Sequence, residues 1–287
     1  MDTSDAGSGG AGSGRRPKFV LPQQATDAHC HVFGPASVFP YAQNRSYTPA
    51  DAPKEALARL HQRLGIGRAV IVQASCHGTD NRAMLNCIAA APERTRGVAI
   101  VDSGFGTRDL QALHTGGVRG VRFNFVRHLG GAPEMGLFHR VIESIRPLGW
   151  HVVLHLDAVD IAPLAETIRA LPIPFVIDHM GRVDAAKGTD QPAFQSLLEL
   201  ARLPQCWIKV CGAERISAPP FAAAKPIVAA LVAALPERTL WGTDFPHPNL
   251  KHPVDEADLV DLVAEALPDA AARHRVLVDN PARLYGF

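Results

Sequence analysis

Several features are scarce in this chain, and each absence narrows what it can be. Charge of one sign is not in surplus: 29 basic side chains stand against 28 acidic ones, a net charge of +1. Such a balance gives no general attraction to nucleic acid or to an anionic membrane surface. Cysteine is sparse. Cys30, Cys76, Cys87, Cys206 and Cys211 are odd in number, widely spaced and never form a C-x-x-C pair. That argues against a disulfide framework or a zinc knuckle and for a reducing, cytoplasmic setting. No apolar run approaches membrane-spanning length. A glycine-rich phosphate turn is also missing, since "HVFGPA" after the first strand-like run has one glycine. No nucleotide fingerprint is present.

What is present is a chain of 287 residues, 47% hydrophobic and 20% charged, able to bury a sizeable core. Residues 1–18, "MDTSDAGSGGAGSGRRPK", read as a flexible tail. The pair Arg15-Arg16 is followed by a segment too short and polar to complete a twin-arginine export signal. Residues 19–287 are expected to form a single domain. Eight β-rich runs follow, at 26–33, 68–75, 96–102, 118–125, 151–158, 174–181, 207–212 and 239–245. Most are near-continuous Val/Ile-rich stretches, as parallel strands covered on both faces require. Amphipathic segments such as 51–65, 135–149 and 220–235 lie between them. Eight βα units over about 260 residues predict an α/β fold of the (β/α)8 barrel type, with a doubly wound sheet as runner-up.

In a barrel, function collects at the C-terminal ends of the strands. "TDAHCHVF" places His29 and His31 on the first strand two residues apart, so they share a face. Strand two ends in Ser75-Cys76-His77, strand four offers Arg122 and Asn124, and strand five offers His155. Strand six carries Asp178-His179 and strand eight Asp244. Taken singly, a strand histidine is more often structural, and His151, His114, His128 and His139 are read that way. Asp178, of opposite parity to His179, is expected to face the helices. H-x-H, two further histidines and a terminal aspartate converging from four strands is a pattern that chance rarely assembles.

These residues resemble the amidohydrolase superfamily. "DAHCHVFGP", "VIVQASCHGTDN", "GVRGVRFNF", "GWHVV", "VIDHMGR", "WGTDFPHPN" and "NPARLY" are similar, in that order, to its 2-pyrone-4,6-dicarboxylate hydrolase-like lactonases. The resemblance covers nearly all of the chain after the tail. It implies an enzyme that opens a small carboxylated lactone in aromatic-compound catabolism. In that scheme Asp244 matches the general base, while His29, His31 and His179 match the histidines lining the carbonyl site. Arg122 and Arg215 match the arginines holding substrate carboxylates, for which a guanidinium fork suits bidentate pairing. Ser75, Tyr47 and Asn249 match hydrogen-bond donors, and His77 either joins them or orders its loop.

Two departures from the family pattern matter. His128 stands where those enzymes have a second arginine, so either Arg127 takes its place or the second anion site is altered, with His128 completing it. His155 stands where their metal-independent members have tyrosine. It would complete a metal shell of His29, His31, His155 and Asp244 for one zinc or manganese ion. A related lactone such as a sulfomuconolactone is therefore the rival substrate. Lactone isomerisation or decarboxylation is a rival reaction, and a non-catalytic small-acid-binding barrel is the remaining class. The expected partner is a small anionic lactone, not nucleic acid or a membrane; the sequence leaves oligomeric state open.

Overall fold

The computed structural model describes residues 14–250 and 252–287, the His128 side chain excepted. Eight strands pair in parallel in the order β1-β2-β3-β4-β5-β6-β7-β8. They are β1 Thr26–Cys30, β2 Arg68–Val72, β3 Thr95–Ala99, β4 Val118–Asn124, β5 His151–His155, β6 Phe175–Ile177, β7 Cys206–Lys209 and β8 Thr239–Leu240. Between them run α1 Lys54–Leu64, α2 Arg82–Ala89, α3 Thr107–Thr115, α4 Met135–Ile145, α5 Ile161–Arg169 and α6 Pro192–Ala201. After β7 come the short α7 Ala213–Ile216 and α8 Ala224–Ala234. α9 Glu256–Ala266, α10 Ala270–His274 and α11 Asn280–Tyr285 follow β8. This is the expected (β/α)8 barrel. Among the described residues no helix is long and apolar enough to cross a membrane.

Strand alternation makes two apolar layers. Val70, Val72, Val98, Val153, Val176, Trp207 and Leu240 pack inside the barrel, with Tyr285 of α11 closing one end. Their neighbours in sequence, such as Ile71, Val152, Ile177 and Ile208, face the helices. His151 is buried against Tyr285, ring centroids 5.1 Å apart, in the structural place expected of it. Helix α1 shows the local logic. Ala56, Leu57, Leu60 and Leu64 recur at helical spacing and are buried, and Gly65 ends the helix at φ 81°.

The barrel closes between β8 and β1 without a full ladder. The Ala28, His31 and Asp244 N–H groups donate to Trp241 O, Phe245 O and His29 O, each at 2.8 Å. Gly242 permits this approach, since a Cβ there would lie 2.5 Å from His29 N. Buried Asp27 staples the seam, accepting from the N–H of Thr243 at 2.9 Å and its hydroxyl at 2.6 Å. His61 Nε2 of α1 lies 3.1 Å from the same carboxylate. Asp27→Ala is therefore expected to cost ~3–5 kcal/mol, as when one partner of a buried charged network is removed. Urea unfolding of the variant measures it, and a loss below ~1 kcal/mol would show the seam does not depend on Asp27.

Of the expected N-terminal tail, residues 1–13 lie outside the described residues. Residues 15–18 run against α9: Arg15 pairs with Asp258 and Asp261, and the Lys18 N–H donates to Asp261 at 2.7 Å.

The later strands are shorter than the apolar runs suggested. β6 stops at Ile177 because His179, Met180 and Gly181 adopt left-handed φ of 50°, 54° and 61°. Asp244 likewise takes φ 59°. Non-glycine residues rarely adopt such angles, and they cluster where function demands them.

Candidate active site

A cavity of about 270 Å³ opens at the C-terminal mouth of the barrel. His31, His155, His179 and Asp244 line it, as do Arg122 and Arg215. Ser75, Tyr47 and Asn249 are on its wall too. A larger groove of about 840 Å³ shares Tyr47 and Pro248–Leu250 with it, but holds none of the barrel-mouth histidines.

The floor is built around Asp244. Its Oδ1 lies 3.4 Å from His31 Nε2 and 3.6 Å from His29 Nε2. Arg215 Nε donates to Oδ2. Burial alone would raise the Asp244 carboxyl, but Arg215, then His179 and His31, outweigh it and hold it well below the usual carboxylate range. The result is a fully buried carboxylate that stays ionised, with one oxygen anchored and the other turned to two imidazoles. His31 Nδ1–H donates to Val72 O at 2.7 Å, a carbonyl that can only accept.

His29 is completely buried beneath the cavity. Burial, then the positive charge of Lys209, pushes its pKa down to about 4, so the ring is neutral near pH 7. His179 is also kept neutral, by burial first. Its Nδ1 is 3.4 Å from the thiol of Cys211. Gly212 makes room for that ring: a Cβ there would lie 2.7 Å from His179 Nδ1.

Asp178 does not face the helices as its parity relative to His179 suggested. It keeps the inward parity of Val176, and the left-handed turn that follows brings His179 in as well. Asp178 lies 3.2 Å from His29 Nδ1 and from Lys209 Nζ, and Arg122 Nε donates to it at 3.0 Å. Burial would raise this carboxyl too, but Lys209, His29 and Arg122 hold it well below its usual range.

Three side chains take places that the sequence left open or assigned otherwise. Arg127 is exposed on the turn after β4 and is not among the residues lining the cavity. Arg182 lines the cavity in its stead, braced by Asp157 at 2.6 Å. His77 spends both ring nitrogens on loop backbone, at Gly34 N and Pro40 O, each 3.3 Å away. His155 lies beyond His179, ring centroids 5.2 Å apart, with no hydrogen-bond partner on either nitrogen among the described residues. The His128 side chain lies outside the described residues. Sequence reasoning passed over Lys209 and Arg182. The signal for Lys209 was visible in "WIKVCG", a charge at an inward position of an apolar strand.

The mouth holds a donor set that suits a divalent cation by residue type. Ligand atoms of His29, His179 and Asp244 lie within 4.8 Å of one another. His31 and His155, assigned to the metal shell from sequence, are not in that set, and His179 takes a place in it. The surroundings do not fit a dication. Lys209, Arg122 and Arg215 pack against Asp178 and Asp244, three permanent cations against two carboxylates. Adding two positive charges to a buried, already cationic site is unfavourable at low dielectric.

Fold and site together define a class of protein, and the comparisons agree with it. Residues 26–287 match the Amidohydrolase family model. The chain belongs to that family. It is 44% identical over 282 residues to a 2-pyrone-4,6-dicarboxylate hydrolase of Comamonas testosteroni, covering 94% of this chain and 92% of that one. It is 42% identical over 274 residues to a 4-sulfomuconolactone hydrolase of Rhizobium radiobacter, covering 93% and 92%. An Acinetobacter baumannii structure, described as a candidate 2-pyrone-4,6-dicarboxylic acid hydrolase with citric acid bound, superposes with a TM-score of 0.82. That pair is 28% identical over 92% of this chain and 100% of the other.

Proposed function

We propose that this protein is a lactonase that hydrolyses 2-pyrone-4,6-dicarboxylate or a close anionic relative, acting in the cytoplasm in the breakdown of aromatic compounds. The observation that carries the reading is a single ionised carboxylate facing imidazoles at the floor of a cavity whose walls bear Arg122, Arg182 and Arg215. A site that only bound acids would have no use for a carboxylate aimed at its ligand. The named relatives act on lactones carrying carboxylate or sulfonate groups, and a structural neighbour holds the tricarboxylic acid citrate.

In this reading Arg122 and Arg215 hold the anionic groups, aided by Ser75, Tyr47 and Asn249, and so seat the lactone carbonyl over the histidines. Asp244 Oδ1 takes a proton from water as the water oxygen attacks the carbonyl carbon. Negative charge builds on the carbonyl oxygen, where N–H donors from His29 and His179 stabilise it. Collapse breaks the ring C–O bond and returns the Asp244 proton to the departing oxygen, while the new carboxylic acid releases its own proton to solvent and becomes a carboxylate. Water is consumed and no carbon is lost. A second substrate, a sulfomuconolactone, is favoured by the exposed position of Arg127, which leaves the second anion site to Arg182. A zinc or manganese ion at His29, His179 and Asp244 is the competing cofactor assignment, and when bound it would lower the pKa of a coordinated water.

Proton release from a panel of carboxylated and sulfonated lactones tests the function, with product mass separating hydrolysis from isomerisation and decarboxylation. Activity is expected to survive exhaustive chelation unchanged. Turnover lost on chelation and restored by zinc or manganese would replace this scheme with a metal-dependent one. The pH profile is a separate test. A base whose pKa is depressed in the folded protein works above that pKa, so kcat/KM should stay level as pH falls through about 5. Arg215→Met removes the strongest attraction opposing burial, and the acid limb should then move up by at least about one pH unit. An unmoved limb would mean that Arg215 does not tune the base.

A further inference from the structure

The two histidines of the H-x-H pair are not equivalent, and the difference lies in what touches Nδ1. In His31 that atom faces the Val72 carbonyl, which can only accept, so it carries a proton. In His29 it faces Lys209 Nζ at 3.0 Å, within hydrogen-bonding geometry. An ammonium can donate and cannot accept. Asp178 Oδ1 lies 3.2 Å from the same ring nitrogen and 3.2 Å from Lys209 Nζ, so the lysine ammonium can satisfy that oxygen without a ring proton. The Nδ1 direction is spent on the lysine. Lys209 is itself fully buried, its charge balanced by Asp178 and reinforced by no solvent. His29 Nε2, also buried and without a hydrogen-bond partner, turns toward Asp244 Oδ1 and the cavity floor.

We infer that Lys209 is a positioning residue: it holds His29 in the tautomer with its proton on Nε2, so that this ring meets the reacting groups with a donor. The hydrogen bond made by one ring nitrogen decides the state of the other. Lys209 on β7 thus supplies the donor that the developing oxyanion needs, through a ring it does not share a strand with. Asp178 plays the complementary part, offsetting the lysine charge while gripping Arg122 Nε, so that the polarising histidine and the anion clamp hang from one carboxylate. The tautomer stands on geometry alone; its catalytic consequence rests on the lactonase reading above.

Long-range ¹H–¹⁵N correlation spectra of the ¹⁵N-histidine-labelled full chain, before and after chelation, read the tautomer without any substrate. A His29→Gln variant serves only to assign the signal. A proton on Nε2 with an unprotonated Nδ1 is expected, and a proton on Nδ1 in either state would overturn the inference. Lys209→Met should then lose that pattern and lower kcat on the order of 10²-fold, as for one lost oxyanion donor, with KM within about threefold. Lys209→Arg, which keeps a donor, should recover much of the rate. A rise in KM with unchanged kcat would show that Lys209 merely braces Asp178 and Arg122, and would also overturn it. Should Lys209→Met fail to fold, the wild-type spectrum and Lys209→Arg still decide. Should no lactone be turned over, the lactonase reading fails while the spectrum still tests the tautomer.

Discussion

Asp244→Asn is expected to lower kcat for lactone hydrolysis by at least ~10²-fold, the lower end of what a positioned general base contributes. The substitution keeps the size and shape of the side chain, which matters at a fully buried position with a left-handed backbone. It removes the proton acceptor that faces His29 and His31. It also removes the negative charge that offsets Arg215, so substrate anions should bind at least as well as before. The pairing of a collapsed kcat with an unchanged or lowered KM is the signature to look for. Steady-state kinetics on the best lactone of the panel give both constants, and turnover near the wild-type rate would exclude Asp244 as the base.

The second large effect concerns affinity. Arg122 is nearly buried, and Asp178 holds its Nε at 3.0 Å, which fixes the plane of the guanidinium. Its lining position on the cavity then offers the terminal nitrogens to a ligand. A carboxylate or sulfonate held there in a water-poor pocket is a charge-assisted, forked pair. Losing one such partner typically costs ~2–5 kcal/mol, or about 30-fold in affinity at the low end. Arg122→Met should therefore raise KM for a dianionic lactone by at least that factor, and less for a lactone lacking one anionic group. Equal effects on both substrates would place Arg122 in the scaffold instead of the clamp, leaving Arg182 as the next residue to replace.

The architecture and most residues of the candidate site were legible in the amino-acid sequence alone. Eight Val/Ile-rich runs joined by amphipathic segments predicted the barrel because burial on both faces of a parallel sheet leaves a plain apolar signature. Polar residues at the ends of those runs then stood out as exceptions to burial, which is how His29, His31, His179, Asp244 and Arg122 were legible without coordinates. Tertiary structure decided whatever depended on backbone geometry or on contacts between strands. Alternation assigned Asp178 to the helices, but a strand that stops at Ile177 and turns left-handed through His179 brings both residues inward. Arg127 and Arg182 read alike as loop arginines; only the path of each loop sends one to solvent and the other to the cavity. The state of His29 was out of reach for the same reason. Lys209 is 180 residues away in sequence and 3.0 Å away in space, and a proton's place on a ring is set by the nearest donor, not by the residues on either side of it.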